Sequence, residues 1–72
     1  MYENVKRAIM ELDAGLVLKD DYTEELNRLD SYESNLHVLR TLNTPMWKIA
    51  EGLKEIKRIR EWIAQEIAAY QR

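Results

Sequence analysis

The chain is predicted to be an all-α three-helix fold, built on a long antiparallel helical hairpin with a short N-terminal helix and completed by self-association into a bundle. Three observations predict it. Apolar residues recur at steps of three and four through three segments, the interruption Asn43-Thr44-Pro45 divides the two longer ones, and only two glycines and one proline occur in the whole chain. With 72 residues this is one domain, residues 1–72, at the small end of independent folding. A chain of that size buries only about 60% of the surface it exposes when unfolded, so association would help it.

Helix one is expected over about residues 2–14. Tyr2, Val5, Ile9, Leu12 and Leu16 step by three and four and form one stripe, and Gly15 ends the helix. The apolar Leu16-Val17-Leu18 then bridges to Asp20-Asp21. Helix two is expected over about 21–42, because Asp21 and Glu24 stand in capping-box spacing and acidic side chains suit the first turn. Its stripe is Tyr22, Leu26, Leu29, Tyr32, Leu36, Leu39 and Leu42. Helix three is expected over about 45–71, with Thr44 as its cap and Pro45 at the first helical position, where no backbone donor is needed. It carries Met46, Ile49, Leu53, Ile56, Ile59, Ile63, Ile67 and Tyr70. Gly52 lies inside this pattern at a cost of about 1 kcal/mol relative to Ala, which close packing against a neighbouring helix would explain.

Helix lengths lead to an expected association surface. At 1.5 Å per residue, helix one is about 20 Å long, against about 33 Å and 39 Å for the other two. Its exit leads directly towards Asp20-Asp21, which places it beside the open end of the hairpin and leaves the turn end uncovered. Leu36, Leu39, Leu42, Met46, Trp47, Ile49 and Leu53 would then form an apolar interface for a second copy or a protein partner. Trp47, one step off the stripe, is its candidate anchor, whereas Trp62 sits at the stripe edge as core.

Charge divides along the chain. Residues 1–36 carry four basic and nine acidic side chains, net −5, and residues 37–72 seven and four, net +3. In an antiparallel hairpin the acidic Asp20, Asp21, Glu24, Glu25, Asp30 and Glu33 would run beside the basic Lys54, Lys57, Arg58 and Arg60 and neutralise them. Were those four cations free, they could track nucleic-acid phosphates, but glutamates interrupt the run and a pI near 5.4 disfavours a general DNA binder. The stretch Ile49-Ala50-Glu51-Gly52-Leu53 resembles the first half of a helix-turn-helix. No breaker follows Leu53, however, and the apolar spacing continues as one helix.

Catalytic, cofactor and metal sites are not expected. His37 is the only histidine and there is no cysteine, so three or four good metal ligands cannot be assembled around it. The start of the chain lacks a secretory pattern and no apolar run approaches the roughly 20 residues that cross a bilayer, so no membrane association and a cytoplasmic location are expected. The expected function is that of a non-enzymatic interaction module, an adaptor, regulator or stoichiometric inhibitor that also forms a homodimer or higher homo-oligomer. The alternative is a nucleic-acid-associated regulator using the basic face.

Overall fold

The computed structural model describes residues 1–70, and they form three helices, α1 (Tyr2–Ala14), α2 (Thr23–Thr41) and α3 (Met46–Tyr70). The apolar stripes become the core. It takes Tyr2, Ile9 and Leu12 from α1, Leu29, Leu36 and Leu39 from α2, and Ile49, Ile56, Ile59 and Ile63 from α3, with Tyr22 added just ahead of α2. Between α2 and α3, Asp30 and Glu33 meet Arg60 and Leu36 meets Gly52, and just ahead of α2 Tyr22 meets Trp62. The molecule is a rod of 45 × 16 × 16 Å.

Gly52 has the reason expected of it. A Cβ there would stand 2.8 Å from one Leu36 δ-carbon and 3.1 Å from the other, so the missing side chain is what lets the leucine seat on the α3 backbone. Leu36 itself is fully buried.

Both ends of α2 and the start of α3 differ from expectation by one or two residues, each for a local reason. Asp21 does not reach forward to cap α2. Its Oδ1 accepts from the Thr23 amide at 2.9 Å and from the Thr23 hydroxyl at 2.6 Å, which closes a turn of the kind aspartates make with a residue two further on. Tyr22 is therefore left at the position before the helix, with its ring turned into the core, and α2 begins at Thr23. At the other end Asn43 adopts a left-handed backbone with φ 70°. That geometry lets the Thr44 amide donate back to the Leu39 carbonyl at 3.1 Å, a Schellman-type closure that satisfies an orphan carbonyl. The Pro45 carbonyl accepts from the amides of Lys48 and Ile49, so Pro45 precedes the first helical residue, Met46, instead of being that residue. The expected last residue of helix three, 71, lies outside the described residues.

The position of α1 corrects the expectation drawn from helix lengths. Tyr2 lies against Lys48, whose ammonium is 5.3 Å from the ring centre, and Met1, Asn4 and Val5 border a depression shared with Asn35, Val38 and Leu39. Asp13, at the far end of α1, pairs with Arg58 at 2.7 Å. α1 thus covers the turn half of the α2–α3 pair and not the open end. The connector is the reason. Residues 16–22 are not helical, and seven such residues can span on the order of 23 Å, so the exit of α1 need not lie near the entry of α2.

This connector closes the other half of the core with one aromatic ring. Tyr22 is 2% exposed and meets Trp62 edge-on, with centroids 6.0 Å apart and planes at 88°. Its hydroxyl donates to the Val17 carbonyl and accepts from the Lys19 amide, both at 3.0 Å. The Lys19 ammonium lies over the same ring and pairs with Glu25, and this pairing holds the Glu25 carboxyl below its ordinary value.

Candidate interaction surface at the turn between α2 and α3

The seven residues expected to form one interface are divided by the structure. Leu36, Leu39 and Ile49 are closed inside the chain beneath α1, and Leu53 is half-buried, so these four do not make an open face. Leu42 and Met46, each 56% exposed, and Trp47, at 65%, remain at the turn. The correction follows from the placement of α1, which supplies the cover that a second chain was expected to supply.

Trp47 faces away from the core because it precedes Ile49 by two residues, about 200° around the helix. The Lys48 ammonium lies 5.6 Å from the Trp47 ring centre and 5.3 Å from that of Tyr2, standing near both faces. Such cation–π contacts are worth about 0.5–1 kcal/mol at exposed sites, enough to orient the indole without burying it. Two further apolar side chains extend the surface along the α1–α2 seam. Met1 and Val38 are both exposed and border the depression whose floor includes Leu39. Sequence reasoning missed them, although Val38 carried a signal: it lies between Leu36 and Leu39, off the stripe, where an apolar side chain has no core to enter.

The basic face expected on α3 is partly consumed by internal pairing. Arg60 binds Asp30 at 2.5 Å and Glu33 at 3.3 Å, as the charge pattern suggested. Arg58 turns the other way, to Asp13 at 2.7 Å and to Glu55 at 2.9 Å, a partner on α1 that the expected placement excluded. Hydrogen bonds to these carboxylates raise the pKa of both guanidiniums, from Asp13 and then Glu55 for Arg58, and mainly from Glu33 for Arg60. Lys54 and Lys57 stay exposed and form none of the ion pairs among the described residues. Glu24 and Glu25, expected opposite α3, pair locally with Arg28 and Lys19.

Among the described residues no group of three or more His, Asp or Glu side chains is placed to hold a metal ion, and His37 is exposed on α2. No helix among them is long and apolar enough to cross a membrane. No family model matches the chain, and no significant similarity links it to a curated protein or to a solved structure.

Proposed function

We propose that this chain is a non-enzymatic protein-binding module that inserts the tip of its antiparallel α2–α3 hairpin into a concave site on a protein partner. The observation that carries this is the exposure of Leu42, Met46 and Trp47 together at one end of a rod whose remaining stripe residues are mostly covered. The shape of the partner site follows from dimensions. An end 16 Å across cannot supply the roughly 800 Å² that each partner contributes to a standard interface if it meets a flat surface, whereas a cleft that wraps the tip can also use Met1 and Val38. Arg40 and Lys48, in the flanking turns, favour a carboxylate-rich rim. Occlusion of that cleft would make the chain an inhibitor or regulator; a partner at each end of the rod would make it an adaptor. Because α1 already covers Leu36, Leu39 and Ile49, the apolar surface left at the tip is too small for the bundle interface expected from helix lengths and suits a heterologous partner.

The test is binding to a purified partner, measured for wild type, Trp47→Ala and the charge reversal Lys54→Glu/Lys57→Glu over a range of salt. Trp47→Ala should cost at least about 2 kcal/mol of binding, as anchor residues do, while leaving stability within about 0.5 kcal/mol. The charge reversal should change little, and affinity should depend weakly on salt. Binding indifferent to Trp47 but steeply salt-dependent would transfer the function to the exposed lysines of α3 and favour nucleic acid.

A further inference from the structure

A second concavity lies between α1 and α3, above Leu36 of α2. Its volume is about 170 Å³, and its walls are Tyr2, Ile9, Met10, Leu36 and Gly52. Leu36 fills the space left by the missing Gly52 side chain and closes the bottom of the cleft, so the apolar surface open above it is that of Met10 with the edges of Tyr2 and Ile9. An apolar hole of about 150 Å³ is large enough to hold benzene, so the space suits one ring or a short branched chain.

The rim determines which such molecule fits. Glu51 and Lys6 are exposed at the opening, Asp13 and Glu55 border it, and Arg58 is shared between the last two. With Arg58 counted, the lining keeps one net negative charge. Glu51 forms none of the ion pairs among the described residues, so its carboxylate is available. Burial first, and then the Glu51 and Glu3 carboxylates, push the Tyr2 phenol above its ordinary pKa, so the phenol stays neutral beside Glu51.

We propose that this cleft binds a small organic cation, with a hydrocarbon group about the size of toluene seated between Tyr2, Ile9 and Met10 and an ammonium group held at Glu51. The Met10 thioether and the Tyr2 ring flank the hydrocarbon and favour an aromatic one. Leu42, Met46 and Trp47 at the hairpin tip do not line the cleft, which meets the tip only through the Lys48 ammonium beside Tyr2.

The experiment is a methyl-NMR titration of the full chain with three probes of one shape: benzylammonium, benzyl alcohol and benzoate. Benzylammonium should shift the methyl signals of Ile9 and Leu36 saturably, in the millimolar range expected of so small a ligand, and leave Met46 and Leu42 unmoved. It should bind roughly two- to fivefold more tightly than benzyl alcohol, as a partly exposed ion pair allows, and benzoate should bind least. Glu51→Gln, a surface change, should abolish the preference for the ammonium while keeping the helical circular dichroism and the binding of benzyl alcohol. No saturable shift at Ile9 and Leu36 would overturn the site. Equal binding of the three probes, or an ammonium preference that survives Glu51→Gln, would overturn the assignment of its ligand class.

Discussion

The α2–α3 pair is covered by a helix along the half nearest its turn and by an irregular connector along the half farthest from it, and the two covers solve the same problem differently. α1 satisfies its own backbone by hydrogen bonding along the helix and presents a side chain to the core at each turn, so Tyr2, Ile9 and Leu12 are all buried. The connector has no such regularity. It places only Tyr22 fully inside, with Leu16 partly so, and leaves Val17 and Leu18 exposed. It compensates by using the hydroxyl of that one tyrosine to satisfy two backbone groups of the same connector. A helix can cover a core through many interchangeable contacts, whereas an irregular segment concentrates the task in one side chain and the polar bonds around it.

The largest expected effect lies under α1. Leu36 is fully buried between α1 and α3, and Leu36→Ala should cost about 3–5 kcal/mol, most of the stability available to a domain of this size. Urea unfolding followed by far-UV circular dichroism should place its midpoint near zero denaturant. On the connector side Leu18→Ala, at an exposed position, should move the midpoint hardly at all. A mild loss in the first variant would mean that α1 is not the tight cover described above.

Gly52→Ala sharpens the same point. In an isolated helix the change would stabilise by about 1 kcal/mol, but here the new methyl meets enclosed Leu36 atoms, and a net destabilisation of about 1–3 kcal/mol is expected. With Leu36→Ala as background the clash is gone and the sign should reverse. A double-mutant cycle from urea midpoints, run for all four chains in one fixed concentration of a stabilising osmolyte so that the Leu36→Ala background starts folded, reads both, and additivity of the two changes would show that Leu36 and Gly52 do not share the space.

Much of the helix half was legible in the sequence, and most of the connector half was not. The stripes of α1, α2 and α3 name nearly every core residue, because a period of three and four leaves little choice about which face is buried. Gly52 could be assigned to close packing, since an unexplained glycine in a strong helix needs a reason. What periodicity cannot report is how far a non-helical segment reaches. Treating Leu16-Val17-Leu18 as a short bridge to a helix that begins at about residue 21 sends α1 to the wrong half, uncovers Leu36, Leu39 and Ile49, and hides the pair between Asp13 and Arg58. The candidate surface therefore survives only where no stripe was involved, at Trp47, and at the two stripe ends Leu42 and Met46 that overrun the core. Tyr22 is the first residue of the α2 stripe, and nothing local in the sequence shows that its hydroxyl organises the segment before it.

Tyr22→Phe tests that organising role with the ring kept in place. The Val17 carbonyl and the Lys19 amide lose their partner, and a cost of about 1–2 kcal/mol is expected. Hydrogen exchange should show faster exchange at the Lys19 amide, with the amides of α1 changed only by the global loss. Uniform acceleration across both halves would mean that connector and helix open together and that the distinction between them is static only.

The smallest effect is electrostatic and again separates the two covers. Hydrogen bonds from the Thr23 hydroxyl and amide lower the pKa of Asp21, and the bond from Lys19 lowers that of Glu25 and raises that of Lys19. A carboxyl whose folded pKa is depressed contributes stability that is present above its unfolded value, about 3.9 for Asp and 4.3 for Glu, and is lost as pH falls through the folded value. A lysine whose folded pKa is raised contributes below its unfolded value of about 10.4, and that contribution is lost only as pH rises through the folded one. The connector should therefore be held most firmly between about pH 5 and pH 10 and loosen on the acid side first. On acidification the near-UV circular dichroism of the Tyr22–Trp62 pair should fall before the far-UV helical signal, because α1 is joined to the core mainly by apolar contacts. Lys19→Met removes the cation that depresses Glu25 and should shrink the acid-sensitive part of the near-UV change, leaving the share due to Asp21. A near-UV signal that falls only together with the helices, in wild type and in Lys19→Met alike, would show that the polar bonds of the connector do not set its stability and that the Tyr22 ring alone holds it.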